Sequence, residues 1–454
     1  MLIEEQRNFQ VFPSIVPANE ESEITIRAID GRILFYDDIT YDIQFIPSEE
    51  SDVPIDDKLT LRGYELSRKT FSVRPQNGVI KIKYFFSDEQ RWGIKISTQE
   101  YEKHENPLIA KIPTPIWQGI KKPPKDGVVL YIYSLYPDLY NKRVLRGNLH
   151  LHTNVSDGRE SPVMAAARNR AAGLDFIAVT DHFLYDGGKA AREAFDFETD
   201  FKVLVGEEIH NTYVGNIHLV NIESSKSVNE RFLSEPDVVD KEAMALESEV
   251  EIPEGVDKKE YLYRVWCYRE AKKYGGLVIF PHPYWAIAHR YHVGPKMSMA
   301  ILRNGLCDAF EVVGGPSEAK NNLQVALWSE LRAEGKTIPV VGSTDGHTVL
   351  FKYFDSSSTY VFADGDDIKG AVLNGYSVAA EHQENTPVRL YGTFRLVRYA
   401  RFLAEHYFPM HNDLCEASGN AITEYISGNK EMKPIVEALE KRVLDFEKRF
   451  FGRN

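Results

Sequence analysis

The segment NLHLHTNVSDG, Asn148 to Gly158, sets His150 and His152 two residues apart and follows them with Asp157. On a strand, residues i and i+2 share a face, so both imidazoles point one way while Leu149 and Leu151 point the other. Neutral imidazole is the commonest metal ligand, and two aimed at one point form a chelate. A pair of structural histidines would look the same from this segment alone. Five further segments end in similar chemistry: VTDH (His182), GEEI (Glu207, Glu208), NIHLV (His218), FPHP (His282) and STDGH (Asp345, His347). Six of the thirteen histidines thus gather at strand ends together with several carboxylates. Charges collected at one rim need a cation to compensate them, and the expectation is a metal site.

The elements that must position these residues change character along the chain. Before about residue 142, ESEITIRAI, ILFYDD, YDIQFI, GVIKIKYFF and WGIKIST alternate apolar and polar residues, the period of a half-buried antiparallel strand. An immunoglobulin-like β-sandwich is expected, although no Cys-Trp-Cys core accompanies it. Pro113 to Gly127 is a Pro- and Lys-rich connector, followed by one more strand, VVLYIYSLY. From Arg146 seven apolar strand candidates follow: NLHLHT, LDFIAVTDH, FKVLVGEEI, NIHLVNI, GLVIFPHP, DAFEVVGG and TIPVVGSTDGH. Helix signals lie between most of them. Ser161-Pro162 suits an N-cap and first helical position, Asp257 with Glu260 a capping box, and Ser317 with Gly335 brackets a third helix.

Alternating strands and helices predict parallel strands with helices outside. Seven such units predict an α/β, distorted seven-stranded (β/α)7 barrel, whose C-terminal strand ends form the active face. The expected division is a β-sandwich over 1–142, a barrel over 143–385 with an acidic insertion at 223–256, and a helical extension over 386–454. In that extension Ile435, Leu439, Val443, Phe446 and Phe450 form a helical stripe, which another element or subunit should cover.

At 454 residues the chain has room for two or three domains. A net charge of -13 argues against long nucleic acid, which is bound by clustered Lys and Arg. The opening MLIEEQRNFQVF has no basic or apolar stretch of a secretion signal, and no apolar run reaches a membrane span. Cys267, Cys307 and Cys415 are dispersed and odd in number, as expected for reduced thiols of a cytoplasmic protein. A homo-oligomer is compatible with all of this.

Taken in order, HLHTNVSDG, VTDH, GEEI, IHLV, FPHP and STDGH resemble the motifs of the PHP (polymerase and histidinol phosphatase) superfamily over about residues 146–385. The resemblance implies a distorted seven-stranded barrel holding two or three divalent ions. It implies one ion on His150, His152, Glu208 and Asp345, a second on Glu208, His218 and His282, and a third on Asp157, His182 and His347. Its pattern selects Glu208 over Glu207; strand parity with Leu204 and Gly206 agrees, although either glutamate is a candidate from residue type. Asp181 is expected to fix a ligand rather than to be one, and Glu311 and His210 are either such partners or structural.

Mixed His and carboxylate ligands suit zinc, manganese or iron. Such ions activate water near pH 7 and neutralise oxygens during in-line attack on phosphorus, so a metal-dependent phosphoesterase acting on a small phosphate mono- or diester is the leading expectation. Ser156 lies in no GxSxG elbow, against serine catalysis. Arg159 and Arg290 are candidate phosphate contacts, and Tyr185, Tyr284 and Trp285 candidate ring contacts; solvation or packing is the alternative for each. A β domain joined to such a barrel also resembles carbaryl-hydrolase-type metallohydrolases, so carboxylester or carbamate hydrolysis is the second expectation. The third is a binding protein that uses its β-sandwich, with the barrel as scaffold.

Overall fold

Where apolar and polar residues alternate early in the chain, strands form. The computed structural model describes residues 9–29, 35–49, 69–100, 128–211, 214–315, 317–350, 354–383 and 386–453; the connector at 113–127 lies outside them. The early strands are β1 (Phe9–Phe12), β2 (Ile15–Pro17), β3 (Glu20–Ala28), β4 (Tyr41–Pro47), β5 (Thr70–Val73), β6 (Val79–Phe86), β7 (Arg91–Ser97) and β8 (Val128–Leu135). They make a three-stranded sheet, β1-β3-β6, and a five-stranded sheet, β2-β8-β7-β4-β5. Ile24 and Ile82 of the first share one core with Phe45, Trp92 and Ile132 of the second. Of ILFYDD, the described residues Phe35–Asp38 are coil and turn rather than strand. The Asp37 carboxylate there accepts the main-chain N–H groups of Asn77 and Gly78 at 2.9 Å each, a turn-forming use of a short acid.

The later strands are β9 (Arg143–Leu151), β10 (Phe176–Val179), β11 (Lys202–Asn211), β12 (Ile217–Ile222), β13 (Leu277–Phe280), β14 (Ala286–Ile287), β15 (Arg290–Tyr291), β16 (Ala309–Gly314), β17 (Val340–Ser343), β18 (Ser357–Ala363), β19 (Ser377–Glu381) and β20 (Arg389–Tyr391). All seven expected segments are strands: β9 to β13, β16 and β17. The sheet they enter has ten, however, in the order β17-β16-β13-β12-β11-β10-β9-β18-β19-β20. It is also mixed, because β12 runs antiparallel to both β11 and β13. Only residues 212–216 join β11 to β12, too few for the crossover of a dozen or more that parallel strands need. Strands β18, β19 and β20 are antiparallel additions beside β9. Beyond β17, Asp345 N–H donates to the His150 carbonyl (3.0 Å) and His152 N–H to the Gly346 carbonyl (2.8 Å). These bonds draw the end of one edge onto β9 and nearly close the sheet.

The helix signals act as chemistry dictates at two of three places. The Ser161 hydroxyl accepts from Met164 N–H, and the Asp257 carboxylate from Glu260 N–H. Ser317 makes no such bond. In the acidic insertion, helices Val228–Ser234 and Pro236–Ala245 bury Val228, Phe232, Val239 and Ala243 in one core with Tyr261, Val265 and Trp266 of helix Lys258–Lys273. The chain forms two compact units. Residues 402–409 and 444–454 belong with β1 to β8, and residues 142–401 and 410–443 make the larger unit. Val443, Phe446 and Phe450 of the C-terminal stripe are buried, whereas Ile435 is exposed and its neighbour Val436 is buried instead. All three cysteines are free and buried. No helix among the described residues is long and apolar enough to cross a membrane.

Candidate metal centre

The strand ends of the larger unit bring the sequence-selected side chains to one rim. His150 lies on β9 and His152 directly follows it; Glu208 is on β11, and His282 follows β13. His218 reaches the same rim from the start of β12, because that strand runs the other way; in register it faces His210. A lone parallel bridge pairs His182 with Glu208. Asp157 sits on the loop after β9, where the main chain turns so closely that a Cβ on Gly158 would meet the His152 carbonyl oxygen at 2.5 Å. His282 and Asp345 hold positive φ angles of 24° and 51°. Non-glycine residues in that region carry strain that persists where the surroundings impose it, commonly at functional sites.

Four donor atoms converge first. His150 Nε2 lies 3.3 Å from His152 Nε2, 3.3 Å from Glu208 Oε2 and 3.4 Å from Asp345 Oδ1. His152 Nε2 lies 3.3 and 3.2 Å from the same two oxygens. A tetrahedral ion with bonds of about 2.0–2.1 Å separates its ligands by about 3.3–3.4 Å. Five edges of such a tetrahedron are therefore already present.

The other oxygen of Glu208 turns to a second group: Oε1 lies 2.8 Å from His218 Nδ1 and 3.1 Å from His282 Nε2. Glu208 thus stands between two donor sets as a bridging carboxylate would. A third group surrounds Asp157, whose Oδ2 is 3.3 Å from His347 Nε2 and 3.9 Å from His182 Nε2. His152 Nδ1 approaches Asp157 Oδ1 at 3.7 Å, and His182 Nδ1 is 3.3 Å from Glu208 Oε2. All nine side chains selected from the sequence stand in this one neighbourhood.

The donor chemistry fits divalent cations. Among the described residues, every ion pair of Asp157, Glu208 and Asp345 is with a histidine; lysine and arginine take no part. The buried ring nitrogens His152 Nδ1, His218 Nε2 and His282 Nδ1 have no hydrogen-bond partner. His150 Nδ1 faces Glu311 at 3.0 Å, so a neutral ring that donates there turns its Nε2 lone pair toward two carboxylates. The chain itself offers only protons to separate these groups. Burial opposes charge on His150, yet Glu208, Asp345 and Glu311 hold it well above the usual imidazole range. Burial likewise opposes charge on His152, but hydrogen bonds to Asp345 and Glu208 lift it to about 9. Against their burial, Glu208 is held well below the carboxylate range by His218 and His150, and Asp345 below it by His150 and His282. Divalent ions would do the same separation with neutral rings.

No family model and no curated protein matches the sequence. Solved structures align with parts of this chain. A two-domain protein from Bacteroides vulgatus ATCC 8482, described as containing a predicted PHP-like metal-dependent phosphoesterase, aligns over 58% of this chain and 71% of its own, at 20% identity and a TM-score of 0.40. A protein from Bifidobacterium adolescentis ATCC 15703, provisionally named a metal-dependent phosphoesterase, aligns over 50% and 95% at 17% identity and a TM-score of 0.35. An amidohydrolase from Chromobacterium violaceum, with bound sulfate and no metal, aligns over 45% and 88% at 16% identity and 0.31. Likeness at this level leaves the chemistry to the side chains.

Beside the nine donor side chains, the neighbouring acids separate by role. Glu207 points to the opposite face of β11, where its carboxylate accepts from Ser227 Oγ (2.6 Å), Val228 N (2.7 Å), Asn229 N (3.2 Å) and Asn221 Nδ2 (2.8 Å). It ties the start of the insertion's first helix to the sheet. Asp181 fixes the loop that carries Asp157 rather than a ligand ring: its carboxylate accepts from Thr153 N, Thr153 Oγ1 and Ser156 Oγ, each at 2.7 Å. Glu311 is the acid that meets a ligand-type imidazole directly. A Glu311→Gln variant should bind divalent metal about 10–100-fold more weakly while keeping its stoichiometry, as isothermal titration with manganese would read.

The proposed substrate contacts fare less uniformly. Tyr185 gives its hydroxyl to the Ser224 carbonyl at 2.5 Å, in a cavity of about 650 Å³ lined also by Lys189, Arg192 and Lys226. It packs there instead of facing the histidines. Tyr284 is buried against Tyr291, with ring centroids 5.2 Å apart. Arg159 and Arg290 are exposed, Arg290 on the β14–β15 hairpin. On that hairpin's stem, Trp285 lies 5.9 Å from His282 and 6.0 Å from His218 between ring centroids. His292, which sequence reasoning passed over, packs on His218 at 4.5 Å and bonds the Asn216 carbonyl. Its sequence signal was the pair His289 and His292 within ten residues of FPHP. His210 bonds Asn216 Oδ1 at 3.0 Å and stacks on Phe183.

Proposed function

We propose that this protein is a metal-dependent hydrolase of PHP type, acting as a phosphoesterase on a small phosphate mono- or diester. The observation that carries the proposal is the five donor-donor separations of 3.2–3.4 Å among His150, His152, Glu208 and Asp345. These four side chains would hold one ion, Glu208 with His218 and His282 a second, and Asp157 with His182 and His347 a third; by spacing, His282 also groups with His150, Glu208 and Asp345, and His182 with Glu208 and His218. Two or three zinc, manganese or iron ions would supply Lewis acidity and lower the pKa of attacking water. Glu311 would keep the His150 ring turned inward, and Asp181 would hold the Asp157 loop in place. The same proposal takes β9 to β13, β16 and β17 as the seven strands of a PHP barrel, the two N-terminal sheets as an immunoglobulin-like domain, and the protein as cytoplasmic.

One observation favours the second expectation. Among the described residues, the ion pairs of the three rim carboxylates are all with histidines and none with lysine or arginine. A neutral carboxylester or carbamate would need none. Protein loaded with manganese or zinc should turn over a phosphomonoester and phosphodiester panel faster than matched aryl acetates and carbamates. Turnover confined to the carbonyl esters would transfer the proposal to the second chemistry. A folded, metal-loaded sample inert on both panels would end it.

A further inference from the structure

Two large aromatic side chains at the rim stay partly open to water beside histidines that do not. Trp285 is 39% and Phe183 40% exposed, whereas His182, His218 and His282 are buried. The Trp285 ring centroid lies 5.9 Å from His282, 6.0 Å from His218 and 5.8 Å from His292. Those imidazoles meet it at 79°, 50° and 69°, so none of them lies flat on it. Phe183 is 6.0 Å from His182 and stacks on His210 at 4.9 Å and 16°. Between the two, His210 meets His218 at 4.4 Å and His218 meets His292 at 4.5 Å. A continuous run of rings thus links Phe183, His210, His218, His292 and Trp285.

This wall of rings is held in place. His210 and His292 belong to none of the donor groups, and each is tied through Nε2 to Asn216, His210 to Oδ1 at 3.0 Å and His292 to the carbonyl oxygen. Trp285 N–H donates to the His282 carbonyl (3.1 Å), and His292 N–H to the Trp285 carbonyl (2.7 Å), so the main chain fixes the indole to a donor histidine. Phe183 and Asn216 have φ angles of 62° and 46°, and Ala288 and His289, at the turn of the hairpin beyond Trp285, have 47° and 66°. For residues other than glycine that region is disfavoured, and it persists where the surroundings impose it. Packing does not account for the indole, since a packing role buries the ring, as it does the adjacent Tyr284.

We infer that this wall is the subsite for the alcohol half of the substrate, and that this half carries a flat, unsaturated ring, aryl or heteroaryl, which packs on Trp285 while the ester lies at the donor groups. The inference rests on the reading of the rim as a hydrolase centre and names the class of ester it takes. Small-molecule sites pair an aromatic lining with a few placed polar groups, and that is the composition of this rim. An indole face attracts a second π ring, offset or edge-on, beyond what its apolar area contributes, and a saturated ring of the same size lacks that gain. Trp285 lies one ring contact from His282 and His218. The ring it selects therefore stands next to the ester and not on a distant arm of the substrate.

The test uses the full chain loaded with manganese and a matched pair of substrates, benzyl phosphate and cyclohexylmethyl phosphate, which share the phosphate, the methylene and the ring size and differ in the π face. The corresponding acetates are run beside them, so the preference is read whichever bond is cleaved. The benzyl ester should show a KM about 3–10-fold lower at similar kcat, the range an aromatic pair adds beyond its area. Calorimetric binding of benzylphosphonate and cyclohexylmethylphosphonate should follow the same order. Trp285→Leu, which keeps apolar bulk, and Trp285→Ala should each bring the KM ratio to about one, and Trp285→Phe should retain most of it. All three should match wild type in circular dichroism and manganese content. Equal KM values in wild type, or a ratio that survives both Trp285→Leu and Trp285→Ala, would overturn the subsite and leave the proposed function standing. A folded, metal-loaded protein inert on all of these esters would end the hydrolase reading and the subsite with it.

Discussion

A Glu208→Gln protein should lose the ions of both donor groups that Glu208 joins and at least about three decades of kcat/KM on whichever ester the wild type hydrolyses, about 4 kcal/mol at 1.36 kcal/mol per decade. The reason lies in the two oxygens. Oε2 stands 3.3 Å from His150, His152 and His182, and Oε1 stands 2.8 and 3.1 Å from His218 and His282. A glutamine keeps one oxygen and turns an NH2 to the other group, and NH2 has no lone pair to give a cation. The substitution also takes one negative charge from a buried centre whose cations balance its acids. The neighbouring change supplies the comparison. Glu207→Gln should leave metal content and turnover alone, because that carboxylate faces away and caps the helix that starts at Val228. It should cost about 1–3 kcal/mol of stability, as expected when a buried hydrogen-bonded group loses its fit. Metal analysis and denaturant unfolding of the two variants side by side decide the matter. Retention of both ions by Glu208→Gln would contradict the bridging role.

Part of that contrast is legible in the sequence: strand parity turns adjacent glutamates to opposite faces, while residue type leaves either one a candidate and the family resemblance selects Glu208. Parity and strand-end placement together account for how His150, His152, Glu208 and Asp345 meet. The sheet was less legible. Seven apolar segments are visible in the sequence, but their directions are not: the short link from Asn211 to Ile217 was the available sign that β12 turns back. Strands β18 to β20 lie past the last of those motifs, and the Glu381 that ends β19 accepts from Asn321 Nδ2 and the Tyr391 hydroxyl instead of joining the rim. Glu311 is a middle case. A carboxylate within the apolar run AFEVVG must find a partner when buried, yet only the fold shows that the partner is His150 Nδ1. Tyr185 is the opposite case: ring contact and packing are both open for a loop aromatic after a ligand-type histidine, and only the fold shows its hydroxyl on the Ser224 carbonyl. Residue type predicts what a side chain can do, and loop geometry decides what it meets.

The second large effect concerns stability, at a buried ion pair of the larger unit. Glu440→Gln should destabilise the larger unit by about 3–5 kcal/mol, the cost of removing one partner from a buried ion pair. Arg170 and Glu440 are each 1% exposed and meet through two parallel bonds, Nε to Oε1 at 3.0 Å and Nη2 to Oε2 at 3.1 Å. Thr199 Oγ1 adds a bond to Oε2 at 2.6 Å, and Ser418 Oγ bonds Oε1. The variant leaves the guanidinium with Asp175 at 3.2 Å as its remaining carboxylate. The sign with pH follows from the shift. Burial would raise the Glu440 pKa, but the Arg170 charge and the bonds from Arg170, Ser418 and Thr199 hold it below the usual value. A carboxyl lowered on folding gives stability that is full above its unfolded pKa of about 4.3 and fades as pH falls through the folded value. The gap between wild type and Glu440→Gln should therefore be constant near neutrality and shrink in acid. Replacing both partners, as Arg170→Met with Glu440→Leu, should recover most of the loss, since a well-packed apolar pair avoids desolvating either charge. Urea unfolding of the metal-free proteins at pH 7 and pH 4 measures all three terms, and a single variant as stable as wild type at pH 7 would show that Arg170 finds its compensation elsewhere.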